Sequence, residues 1–72
     1  MNRNQTRNAI RELSRIKGRD MMYPQYIVFD GDEAELENFQ TSPYAANDPA
    51  TLIMNSCEDI DATIAWLESE IQ

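Results

Sequence analysis

Between Gln5 and Lys17 the apolar residues Ala9, Ile10, Leu13 and Ile16 recur at the spacing of an amphipathic helix, close together on a wheel of 3.6 residues per turn. Gly18 supplies a C-terminal stop. The other side of the same wheel holds Arg3, Arg7, Arg11, Arg15 and Arg19. This unbroken i, i+4 series drifts by about 40° per step and forms one broad basic stripe.

The pattern then changes period. Tyr26-Ile27-Val28-Phe29 is β-branched and aromatic, follows Pro24, and ends in the turn residues Asp30-Gly31-Asp32, which predicts a strand. Its two faces are both apolar, Tyr26 with Val28 and Ile27 with Phe29, as suits a strand covered on both sides. From Glu33 to Phe39 acids alternate with other residues. As a strand this segment turns Ala34 and Leu36 inward and lines up Glu33, Glu35 and Glu37 outward, closing a hairpin through Asp30 to Glu33. The same residues are good helix formers, and Asp32 with Glu35 could serve as a capping pair, so a helix over 33–39 is the alternative. Ser42-Pro43-Tyr44-Ala45-Ala46 reads as one helical turn or a tight loop, Asn47-Asp48-Pro49 as a breaker, and Thr51 to Asn55 as a third strand.

The strongest periodic signal closes the chain: Cys57, Ile60, Ile64, Leu67 and Ile71 make a narrow helical stripe. Ser56 is its expected cap with Asp59 completing a capping box, and Glu58, Asp59 and Asp61 suit the positive end of the helix dipole. Trp66 stands about 120° from the stripe, a position for the rim of the core or for an interface anchor. The expected fold is α+β. A small antiparallel three-stranded sheet carries the N- and C-terminal helices on one face, in the order α-β-β-β-α. Residues 1–72 form a single small domain, with a basic helix at about 5–17, sheet at about 25–55 and an acidic helix at about 57–71. The open sheet face or an edge strand is left for a second subunit.

Size and charge sharpen this picture. Leu, Ile, Val and Phe number only 14 of 72, a thin core for a domain already small enough to be marginal alone, so a homodimer is expected. All six bases lie in the first 19 residues with one acid among them, giving +5; the remaining twelve acids stand without a base, giving −12. Any ion pair within the chain must therefore take its cation from the first 19 residues. The stripe is read as the solvated face of a packed helix, as a partner for acids of its own or a twin body, or as a phosphate contact. Direct binding to nucleic acid is not expected, because a −12 body repels a polyanion.

Inventory excludes much chemistry. With no His and one Cys there is no Cys/His zinc site, no intrachain disulfide and no Ser-His-Asp or Cys-His nucleophile. Asp30, Asp32, Glu33, Glu35 and Glu37 are the densest acid cluster, but their spacing is not that of an EF-hand loop and a solvated hairpin tip is the expectation; no metal or other cofactor is expected. Cys57 continues an apolar stripe and is expected to be buried, a reactive thiol at the helix start being the alternative. No apolar run approaches the roughly 18 residues of a membrane span and no signal-peptide core is present, so the expected location is the cytoplasm, without membrane association.

What remains is an acidic surface complementary to cationic grooves that hold nucleic acid. The expectation is a small, non-catalytic acidic protein that inhibits or modulates a partner by covering such a basic surface, a nucleic-acid mimic in the manner of phage-encoded inhibitors such as anti-CRISPR proteins. Its acidic contacts are expected among Asp32, Glu33, Glu35, Glu37, Asp48, Asp59, Asp61 and Glu68, and its aromatic ones at Tyr44 and Trp66. The alternative is a small dimeric nucleic-acid-binding regulator using the arginine helix.

Overall fold

Asn2 begins the first helix with a reciprocal pair of bonds: its side-chain oxygen accepts from the Gln5 N–H at 2.8 Å, and the Gln5 side chain accepts from the Asn2 N–H at 2.9 Å. The computed structural model describes residues 1–38 and 52–72. Within them the order is α1 (Arg3–Ile16), β1 (Gln25–Asp30), β2 (Glu33–Asn38), β3 (Leu52–Met54) and α2 (Cys57–Glu70), the α+β arrangement expected. The segment 33–38 is a strand and not a helix. The first helix starts two residues before the expected Gln5, because the Asn2 cap stands N-terminal to the apolar pattern. Its last turn closes through Lys17 (φ −56°, ψ 128°) and Gly18 (φ 81°), with the Arg19 N–H donating to Ile16 O at 3.0 Å. That is a type II turn, whose positive φ favours glycine. Arg19 consequently lies beyond the helix, and the helical part of the basic stripe ends at Arg15.

The sheet runs β2-β1-β3, both pairings antiparallel. Gly31 takes φ +60° in the two-residue hairpin loop while Asp32 keeps negative φ, the type II′ pattern that suits strand twist. Register places Ile27 opposite Leu36 and Leu52, Phe29 opposite Ala34, and Gln25 opposite Met54, so these residues share one face. On that face Ile27, Ala34 and Met54 join Ala9, Leu13 and Ile16 of α1 and Ile60, Ile64 and Leu67 of α2 in one core, with Phe29, Leu36 and Leu52 packed at its margin. Both helices therefore cover the same side of the sheet. Thr6 extends the buried face of α1 one turn back; its hydroxyl donates to Asn2 O at 2.9 Å, which satisfies the polar atom inside the core.

Two features of the second helix differ from expectation. Ser56 precedes the helix but makes no side-chain cap bond; the Asp59 carboxylate instead accepts from the Asn55 N–H at 2.8 Å, one residue earlier. Cys57 is exposed, because it opens the helix nearly a turn ahead of Ile60, the first residue of the stripe to reach the core.

Candidate functional site

The opposite side of the sheet carries Tyr26, Val28 and Asp30 from β1, Glu33, Glu35 and Glu37 from β2, and Ile53 from β3, as fixed by the pairs Tyr26 with Glu37 and Ile53, Val28 with Glu35, and Asp30 with Glu33. The three glutamates therefore project from one face as the alternation predicts, with about 6.8 Å between successive members. Among the described residues none of the three, nor Asp30, has an ion-pair partner. Glu33 and Glu35 are exposed; Glu37 is half-buried, and its Oε2 is fully enclosed without a hydrogen bond. A buried carboxylate oxygen without a donor is costly, and one N–H donor brought to it would recover the cost.

Asp32 does not belong to that row. Its carboxylate accepts from the side-chain amides of Asn2 at 2.8 Å and Asn4 at 3.2 Å, and its backbone oxygen accepts from the Asn8 amide at 2.7 Å. The Gln5 amide donates to Gly31 O at 2.7 Å. Four amide side chains from the start of α1 thus hold the hairpin tip, and Asp32 supplies the anion that the first turn of α1 itself lacks. Asparagine and glutamine at 2, 4, 5 and 8, spaced for the first two turns of a helix, were the available signal for this clamp.

The basic stripe is exposed along α1. Arg15 pairs with Glu12 of its own helix at 2.7 Å, and Arg3 reaches Ile71 O at 3.5 Å. The side chains of Arg7, Arg11 and Arg19 make no hydrogen bond or ion pair among the described residues. Pairing with the acidic body, one of the three readings of the stripe, reduces among the described residues to a neighbour of the stripe, Lys17, whose ammonium lies 3.1 Å from the Asp61 carboxylate with both side chains largely exposed. Glu68 is exposed, and Tyr44 and Asp48 lie outside the described residues.

At the other end of the helical layer, Met1, Arg3, Thr6, Trp66, Glu70 and Ile71 line an open cleft of about 290 Å³. Trp66 is 49% exposed there, so it is not a core residue. Beneath the N-terminus of α2 the Tyr23 hydroxyl is enclosed without a partner. Burial raises its pKa above the ordinary 10.0, and the Cys57 thiol, Asp20 and Glu58 add to the rise. Among the described residues no group of three or more His, Cys, Asp or Glu is placed to hold a metal ion, and no helix is long and apolar enough to cross a membrane. No family model matches the chain, and comparison with curated proteins and with solved structures finds no match.

Proposed function

We propose that this protein is a non-catalytic binder that inhibits or modulates a partner protein by covering a basic surface that otherwise holds nucleic acid. The observation that supports this reading is the row Glu33, Glu35 and Glu37: three carboxylates on one sheet face, evenly spaced along an extended strand, none neutralised among the described residues. Extended backbone repeats its charges at a separation comparable to that of successive phosphates, and Arg or Lys side chains that grip phosphate accept carboxylate in its place. Val28 and Ile53 beside the row supply apolar contact. Small phage-encoded inhibitors, anti-CRISPR proteins among them, are the class of protein this mode of action fits, with the cytoplasm as the place of action.

The bare guanidinium groups of Arg7, Arg11 and Arg19 favour a second reading, in which α1 contacts nucleic acid directly. One experiment separates the two. The immobilised protein is exposed to cell lysate at about 0.15 M salt, where the Debye length is about 8 Å and loose charge attraction is screened. Nucleic-acid-binding proteins are expected to be retained, to be released by added oligonucleotide, and to be lost when Glu33, Glu35 and Glu37 are all replaced by Gln. Retention that ignores both the oligonucleotide and the triple replacement overturns the proposal. Micromolar binding of oligonucleotide by the protein alone at the same salt replaces it with the second reading.

A further inference from the structure

Four large apolar side chains are exposed among the described residues, and two of them, Met1 at 55% and Trp66 at 49%, line the cleft between the start of α1 and the end of α2. The helices run antiparallel, as Arg3 beside Ile71 and Lys17 beside Asp61 require. The cleft therefore also joins the two oppositely charged segments of the chain: Arg3 on one wall and Glu70 on the other. Glu70 has no ion-pair partner among the described residues, and Arg3 makes only a 3.5 Å contact with a carbonyl. Trp66 serves no core role that would explain a tryptophan here, since Ile64 and Leu67 on either side of it fill the core.

Symmetry decides what this cleft fits. A two-fold axis places each surface patch on its own copy. Through the outer sheet face that operation sets Glu33 and Glu35 against the same acids; through the outward face of α1 it sets arginine against arginine. Both are repulsive. Ile53 projects from that acidic face, and Met22 from the connection before β1. The cleft combines two exposed apolar side chains with an unpaired side-chain charge of each sign, Arg3 and Glu70, and such a patch is complementary to itself.

We propose that a second copy of this chain docks at the cleft as an isologous dimer, with Trp66 and Met1 of the two copies packing together and the Arg3 of each facing the Glu70 of the other. The acidic row lies on the far side of the sheet and stays free, so the dimer and the partner-covering role are independent of one another.

Sedimentation equilibrium between about 1 and 300 μM tests it. The wild type is expected to pass from the 8.3 kDa chain mass to twice that value. Trp66→Ala is expected to weaken the association about 30-fold or more, as for a truncated aromatic hot spot. Arg3→Glu leaves two acids on the patch and Glu70→Arg leaves two bases, so each variant alone should stay monomeric. Mixed together they should form a heterodimer, because both cross-pairs then have opposite sign. Circular dichroism matching the wild type establishes that each variant is folded. A wild type that remains at 8.3 kDa throughout the range overturns the proposal, as does a mixture that stays monomeric while the wild type dimerises, or a Trp66→Ala variant that dimerises like the wild type.

Discussion

Replacing Asp32 by Ala tests the clamp that fixes α1 to the hairpin. The change deletes the acceptors used by Asn2 and Asn4, at 2.8 and 3.2 Å, and leaves the backbone bonds from Asn8 and Gln5 in place. The carboxylate is exposed, so each bond is taken near the low end of the usual range, about 0.5–1 kcal/mol, despite its charge. Removing an anion from a helix N-terminus costs a further 0.3–1 kcal/mol, approximately. The total is about 2 kcal/mol, against a stability on the order of 4–11 kcal/mol for a chain of this length. At about 4–8 °C per kcal/mol in a domain this small, the thermal midpoint should fall by roughly 8–16 °C, followed by circular dichroism at 222 nm. Asp32→Asn should fall less, since it keeps one oxygen for Asn2. Asp30→Asn, which removes a neighbouring acid that makes no hydrogen bond or ion pair to α1 among the described residues, should stay within about 0.5 kcal/mol of wild type. General relief of the −7 net charge predicts the opposite sign for all three replacements. An Asp32→Ala protein that melts at or above the wild-type midpoint would refute the clamp.

Three further outcomes follow from the interior. Leu13 is fully buried between the helices and sheet, so Leu13→Ala should cost about 2–5 kcal/mol and leave a detectable unfolded fraction in urea titration at 25 °C. Tyr23 holds its hydroxyl without a partner, so Tyr23→Phe should be neutral or slightly stabilising in the same titration. Its pKa is raised in the folded state, which means that the unfolded chain loses this proton first as pH rises. The Tyr23 contribution is thus full below pH 10 and declines as pH climbs from 10.0 through the raised folded value; a wild type and a Tyr23→Phe variant with the same stability profile above pH 10 would contradict this.

The sheet was legible because its signals are local. Period-two acids from Glu33 to Glu37 and the Asp30-Gly31-Asp32 turn pointed to the hairpin and to the face on which the glutamates stand, while the helix-forming residues of the same segment left a helix open until strand pairing decided it. Apolar spacing likewise located the core faces of both helices. The start of α1 was hidden because Asn2, Arg3, Asn4 and Gln5 show no apolar period; what begins the helix is a cap and what anchors it is a set of amides reaching residues 31 and 32, more than twenty positions away. Cys57 fits the α2 stripe on a wheel, but a wheel does not say where along the helix the core begins. Charge allocation was the least readable. Sequence limits the cations to the first 19 residues, yet only the fold shows that Lys17 meets Asp61 while the Arg7 and Arg11 side chains meet no acid among the described residues.

That confinement of bases has a consequence for proteolysis. A protease that cuts only after lysine or arginine finds every one of its sites between Arg3 and Arg19, and none in the sheet or in α2. The exposed turn at Lys17 to Arg19 is the most open of them, since the others lie within or at the start of a hydrogen-bonded helix. A single cut after Arg19 separates the chain into a short cationic peptide and a 53-residue anionic remainder that the enzyme can shorten no further. Whether the two pieces stay together then depends on Ala9, Leu13 and Ile16 in the core, the Lys17–Asp61 pair and the amide clamp, which turns trypsin into a direct reporter of how firmly the first helix is seated.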